Sequence, residues 1–275
     1  MPKINIMQKE MLLADLWENY IAVTPSALEI QQLFSAGGNT IHNDHIALRT
    51  YNDSRVNISV IEKPFLAAGY EAKGEYIFVE KKLFAKHYEH KTDRLAPKIF
   101  ISELKLEECS PLIQSNVKDI LDSCDQEVFA DAQLVLKGRV WKELSYSMYE
   151  LLRAESEYAA WMYVYGFCAN HFTVNVNELP GFETLQEVNA FLEEKGFLLN
   201  ASGGKIKGTP EQLLEQSSTL GDKRRIVFNE GTFEIPSCYY EFALRHKGPD
   251  GELYQGFIAA SADKIFESTD LKLQQ

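Results

Sequence analysis

The chain opens on two stretches of apolar residues at helical spacing. Leu12, Leu13, Leu16, Trp17, Tyr20 and Ile21 fall at i, i+1, i+4, i+5, i+8 and i+9, a stripe along one side of a helix. Thr24-Pro25 then reads as a cap followed by proline at the first helical position. Leu28, Ile30, Leu33 and Phe34 carry the pattern into a second helix, which Gly37-Gly38 ends. Residues 106–165 are also predicted mostly helical, through LIQSNVKDILDSC and SYSMYELLRAESEYAAWMYVYGF. These helices read as packing layers.

Two other regions switch to strand patterning, and they resemble each other. The first runs DHIALRT, a helix ending FLAAGY, then strands around YIFVE, KKLFAKHY and PKIFISEL. The second runs NHFTVNVN, a helix ending FLEEKGF, then strands around GGKIKGT, KRRIVFNE and SCYYEFALR. His45 to Phe65 spans 20 residues, as does His171 to Phe191, and Gly69-Tyr70 and Gly196-Phe197 follow in matching places. Two copies of β-α-β-β-β, each with a histidine on its first strand, make an internal repeat. The expected fold is α+β and a single domain. It comprises N-terminal helices (1–40), a first βαβββ module (41–105), a helical insert (106–165) and a second module with a C-terminal segment (166–275).

Composition narrows the function. With 275 residues, 45% apolar and 25% charged, the chain can bury a real core. No long uncharged apolar run is present, so no membrane span is expected, and the N-terminus lacks the apolar core of a signal peptide. Cys109, Cys124, Cys168 and Cys238 lie far apart with no C-x-x-C pair. That pattern suits buried free thiols in a reducing cytoplasm. A formal charge of −12 argues against nucleic acid or an anionic membrane as the main partner. It also means that an anionic ligand needs a local positive site. The oligomeric state stays open.

Strand alternation then exposes candidate chemistry. His45, Ala47 and Arg49 share one face of the first strand, with Ile46 and Leu48 on the other. His171, Thr173 and Asn175 share a face in the second copy, and Tyr239, Glu241, Ala243 and Arg245 share one in its last strand. Three strands therefore each project one potential metal ligand and carry apolar residues opposite. Two neutral imidazoles and a carboxylate form the facial triad of non-haem Fe(II) oxygenases. A single histidine is more often structural and a single glutamate more often solvated; the repeat-equivalent placement is what favours a site. Histidine's ordinary pKa of about 6.5 then predicts metal loss below that pH.

Other residues compete. Glu103, in KIFISEL, has the place in the first copy that Glu241 holds in the second. All four ligands together would resemble a glyoxalase-type lyase. His87 and His90 sit on a charged strand and read as surface residues, and His42 reads as a loop residue. His246 faces away from Glu241, whereas Arg245 shares its face and is a candidate second anion anchor. GGKIKG is no phosphate loop, since neither G-K-[ST] nor a helix follows.

Taken together, the repeat, the His-x-x-x-Arg strand, LAPKIFISEL and YYEFALR resemble the 2-oxoadipate dioxygenase/decarboxylase (2-hydroxyglutarate synthase) family of the vicinal oxygen chelate superfamily. The similarity spans residues 40 to 268. It implies Fe(II) held by His45, His171 and Glu241, with Arg49 anchoring a substrate carboxylate. It implies a 2-oxo dicarboxylic acid and O2 as substrates, and a 2-hydroxy acid and CO2 as products, with no separate 2-oxoglutarate. GFIAASADKIFES resembles the family's segment over the pocket, where a Val-Ser pair meets substrate; here the pair is Ala260-Ser261. The alternatives are the four-ligand lyase and a non-catalytic module that sequesters a small ligand.

Overall fold

A computed structural model describes residues 2–258, with side chains from residue 8. Its strands are β1 (Asn43–Tyr51), β2 (Tyr70–Phe78), β3 (Leu83–His90), β4 (Lys98–Leu104), β5 (Ala169–Asn175), β6 (Lys207–Thr209), β7 (Leu214–Ser218), β8 (Lys223–Phe228), β9 (Gly231–Pro236) and β10 (Tyr239–Arg245). Eight of them form one sheet, in the order β2-β3-β4-β1-β5-β10-β7-β6. The first module pairs its first and last strands in parallel, β1 with β4, and continues antiparallel through β3 to β2. The second repeats this with β5, β10, β7 and β6. This is the paired βαβββ architecture expected from the internal repeat.

The modules join along antiparallel β1 and β5. His45 lies opposite Thr173 and Ala47 opposite His171, a reciprocal register that makes His45 and His171 equivalent about a local two-fold axis. Carried outward, the pairing of His45 with Lys98 and of Ala47 with Phe100 corresponds to that of His171 with Tyr239 and of Thr173 with Glu241. The residue equivalent to Glu241 is thus Phe100. The expected equivalence with Glu103 fails because three residues along a strand is an odd step, which turns the side chain to the opposite face.

One predicted strand is reassigned. KRRIVFNE forms β8 and pairs only with β9, as a hairpin apart from the main sheet. The module's third strand is instead β7, LEQSS, whose residues are all buried although most are polar.

Helices cover the apolar face of the sheet. Trp17 and Tyr20 of α1 (Pro2–Val23) pack with ring centroids 5.0 Å from Phe172 on β5. Phe34 of α2 (Pro25–Ser35) meets Phe242 on β10. Each such aromatic pair contributes about 0.5–1.5 kcal/mol beyond its buried area. Pro25 opens α2 as expected, but Thr24 makes no side-chain capping bond.

The short helices α3 (Ile58–Ile61) and α4 (Lys63–Ala67) lead to Gly69. Its counterpart Gly196 follows the second module's crossover helix, Leu185–Glu194. Both glycines have φ near +90° (+99° and +87°), the left-handed turn that ends a helix without a Cβ clash.

The insert supplies α5 (Pro111–Asp122), α6 (Tyr146–Glu155) and α7 (Glu157–Tyr165); the crossover helix is α8. Every residue of α7 from Tyr158 to Tyr165 is buried, as suits a helix that is apolar on all sides. Its Tyr158 hydroxyl donates to the Ser102 carbonyl at 2.7 Å, and the Trp161 indole donates to the Ser237 carbonyl at 2.8 Å. These bonds tie α7 to β4 of the first module and to the residues leading into β10 of the second.

Candidate metal centre and substrate pocket

The other face of the sheet is polar yet buried. His45, His171 and Glu241 are 3%, 3% and 0% exposed. Their ligand atoms lie within 4.8 Å of one another, the one such group of three or more among the described residues. Glu241 Oε1 is 3.5 Å from His45 Nε2, and its Oε2 is 3.2 Å from His171 Nε2.

The far side of each imidazole is pinned. His45 Nδ1 lies 2.8 Å from Asp44 Oδ1, and His171 Nδ1 lies 3.1 Å from Asn170 Oδ1. A side chain next to a histidine on a regular strand would face away from it. Here both are bulged residues: the β1–β5 register skips Asp44 on one strand and Asn170 on the other. A bulge re-aims the extra side chain, and the repeat supplies one to each ligand. An acceptor at Nδ1 keeps the ring proton there and leaves the Nε2 lone pair for a metal. Strict alternation misses both residues, although Asp44-His45 and Asn170-His171 are visible in the sequence as a repeated acceptor–histidine pair.

Glu241 completes the donor set. Gln216 on β7 donates to Oε1 at 2.6 Å, while Oε2 has no hydrogen-bond donor among the described residues. Burial drives its carboxyl up to about 7, against the opposing pull of His45 and Gln216. Burial, His45 and Arg49 together hold His171 well below the usual imidazole range. A neutral imidazole beside an oxygen lacking a donor fits a divalent cation. Burial would also raise Asp44, but Arg245 and the His45 hydrogen bond outweigh it and keep this carboxyl well below its ordinary value.

These shifts change the expected pH response. Acid reaches Glu241 before His171, whose protonation burial and its charged neighbours oppose. Metal affinity should be level above about pH 7 and fall about tenfold per unit below it, one proton being displaced per ion bound. Anaerobic metal titrations between pH 8 and 5.5 test this. Affinity unchanged from 8 to 6 would mean that Glu241 is not a ligand.

Arg49 is 3% exposed. Its guanidinium lies 4.9 Å from the Tyr158 ring centroid and 5.0 Å from that of Trp161, and its charge opposes the upward push of burial on the Tyr239 phenol. Tyr239 in turn stacks on His171 at 4.7 Å. The charge expected beside the histidines is therefore present, held on the α7 side of the site.

Several other expectations change. Glu103 lies on the opposite face of β4, where it accepts from the Ile58 backbone N–H at 2.9 Å, so the four-ligand site has no fourth ligand. Arg245 is no free anion anchor, since it forms a two-pronged salt bridge with Asp44 at 2.6 and 2.8 Å. His87 is buried rather than on the surface, 2.9 Å from the Tyr76 hydroxyl. His246 pairs outward with Glu215 at 2.8 Å. Ala260 and Ser261 lie outside the described residues. Phe257, which the sequence did not single out, sets its ring edge-on to His45 at 4.8 Å.

Residues 15–251 match the family described as 2-oxoadipate dioxygenase/decarboxylase. The chain belongs to that family. As a member of the 2-oxoadipate dioxygenase/decarboxylase family it is an enzyme, and the non-catalytic reading falls away. A rice family member, 2-oxoadipate dioxygenase/decarboxylase, chloroplastic/amyloplastic, is 35% identical over 91% of this chain and 75% of its own. The crystal structure of rice hydroxyglutarate synthase in complex with 2-oxoadipate superposes with a TM-score of 0.94 at 31% identity, over 100% of this chain and 96% of that one. A Shewanella frigidimarina structure, described only provisionally as a hydrolase, gives 0.87 at 49% identity over 91% and 98%. Among the described residues no helix is long and apolar enough to cross a membrane.

Proposed function

We propose that the chain is an Fe(II)-dependent dioxygenase/decarboxylase that converts 2-oxoadipate, or a closely similar 2-oxo dicarboxylic acid, and O2 into 2-hydroxyglutarate and CO2. The observation that carries this reading is the convergence of two Nδ1-pinned imidazoles and a carboxylate oxygen without a donor, beside a buried arginine. The neighbour solved with 2-oxoadipate supports the substrate class. The reaction balances, since six carbons and two added oxygen atoms leave as a five-carbon hydroxy acid and CO2.

Bound at His45, His171 and Glu241, the metal would supply coordination for the 2-oxo acid and for O2. The chain does the rest. Asp44 and Asn170 hold the two rings in the tautomer that presents Nε2. Gln216 fixes the rotation of the Glu241 carboxylate through one oxygen and leaves the other free. Arg49 binds the carboxylate at the far end of the substrate, while Tyr158 and Trp161 hold its charge by cation–π contact and keep water from that end. We assign Ala260-Ser261 to the substrate's flank, as the family resemblance implies. The four cysteines are free, which suits the cytoplasm or another reducing compartment.

Anaerobic reconstitution with Fe(II), then oxygen uptake across a panel of 2-oxo acids, tests the reading. One O2 should be consumed for each CO2 released, with six-carbon dicarboxylic acids turned over fastest. Product formation without oxygen would replace it with a lyase.

A further inference from the structure

The Asp44–Arg245 salt bridge reaches beyond the metal centre. Arg245 Nε and Nη2 hold the Asp44 carboxylate, which in turn accepts from His45 Nδ1. Its remaining terminal nitrogen, Nη1, donates to the backbone carbonyls of Tyr254 at 2.9 Å and Gly256 at 2.8 Å. The same guanidinium lies 5.2 Å from the Phe257 ring centroid. That ring also meets His45, Phe100 and His87 at 4.8, 4.9 and 5.4 Å. One side chain, 4% exposed, thus bonds on one side to the residue orienting a metal ligand and on the other to residues 254–257, which set Phe257 against His45.

Other ties hold that segment among the described residues. Its backbone bonds to the rest of the chain include Tyr254 N–H to the His246 carbonyl at 3.0 Å and Phe257 N–H to the Tyr76 hydroxyl at 3.2 Å. A cavity of about 370 Å³ borders it, lined among others by Glu89, Lys98, Glu252 and Gln255. Within the segment Gln255 therefore borders open space, while Phe257 is buried. Lysine at 245 would keep the charge but could not span two carboxylate oxygens and two carbonyls, which needs the planar fork.

We infer that Arg245 is a positioning residue that couples docking of residues 254–257 to the orientation of His45, so that the metal and the docked segment stabilise each other. This rests on the His45–His171–Glu241 metal reading. Coupling between two sites is reciprocal: if a docked segment favours metal, then bound metal must slow the segment's opening.

The test uses Co(II) under anaerobic conditions as a redox-stable probe. It combines metal titration with amide hydrogen exchange at Tyr254 and Phe257. In the wild type, saturating Co(II) should slow exchange at both amides. Arg245→Lys should weaken Co(II) binding about 10–100-fold, the range seen when a residue behind a metal ligand is changed, and should abolish the metal's effect on exchange. Phe257→Ala should weaken Co(II) binding in the same direction. A variant that merely loosened the fold would quicken exchange throughout the sheet yet keep the Co(II) effect at these two amides, which would overturn the inference. Co(II) affinity within twofold of wild type in Arg245→Lys would also overturn it. If that variant fails to fold, the wild-type exchange comparison still decides, because equal rates with and without Co(II) refute the coupling. Wild type that binds no Co(II) would overturn the metal reading itself, and this inference with it.

Discussion

Glu241→Gln should lose bound metal and turnover together, each by more than a hundredfold, because a direct ligand costs more than the 10–100-fold typical of the residues behind it. Glutamine keeps the shape but not the charge. Its amide also has to share the space with Gln216, which already donates at 2.6 Å. Metal analysis after anaerobic loading, with oxygen uptake on the same sample, gives the readout. A second measurement separates a lost ligand from a damaged fold. In the metal-free protein, burial raises the Glu241 carboxyl to about 7 from an ordinary 4.5. An acid whose folded pKa is raised favours the fold while protonated and disfavours it once ionised. Above pH 7 that cost is on the order of 3 kcal/mol. Metal-free Glu241→Gln should therefore melt at or above metal-free wild type at pH 8. A lower Tm together with the loss of metal would point to structural damage. Glu103→Gln is the control: its carboxylate faces the other side of β4, and metal content should not change.

The sequence carried the repeat, the joining strands and the three metal-ligating candidates, because matched spacing and alternation are local features. It misled where the sheet's interior is polar. β7 holds Gln216 and Ser218 on the strand that flanks Glu241, and a buried strand whose one apolar residue is Leu214 has almost no hydrophobic signal to find. The neighbouring KRRIVFNE carries the apolar run Ile226-Val227-Phe228 and reads as the strand instead, yet it forms a hairpin outside the main sheet. His87 failed for the same reason, since a charged strand whose inner face packs on Tyr76 and Phe257 has the pattern of one facing water. Glu103 was matched to Glu241 by motif, whereas the parallel register matches Glu241 to Phe100. Asp44 was missed because one bulged residue reverses the face that alternation assigns. Each miss depends on pairing partners far away in the chain, which a single sequence does not encode locally.

Arg49→Ala and Arg49→Lys should retain full metal occupancy yet lose about a hundredfold or more in kcat/KM on 2-oxoadipate. Arg49 lies four residues beyond His45 on β1, which spans roughly 13 Å at about 3.3 Å per residue. Its guanidinium turns back over Tyr158 and Trp161 on α7, so it sits along the site rather than at the ligands. A six-carbon 2-oxo acid held by its 2-oxo and first carboxylate groups would place its second carboxylate at that far end. Removing the guanidinium there would leave the substrate's charge buried without a partner, at a cost of about 3–5 kcal/mol. Lysine brings the charge but not two parallel N–H donors, and it lacks the flat face that stacks on the two rings. A 2-oxo monocarboxylic acid of the same length has no second charge to strand, so its kcat/KM should fall far less. The ratio of the two losses is therefore the measurement that matters. If both substrates lose equally, Arg49 does not hold the distal carboxylate. Its charge beside Tyr239, and the stacking of that ring on His171, would then make it a support for the metal centre, and metal occupancy in the variants should fall with activity.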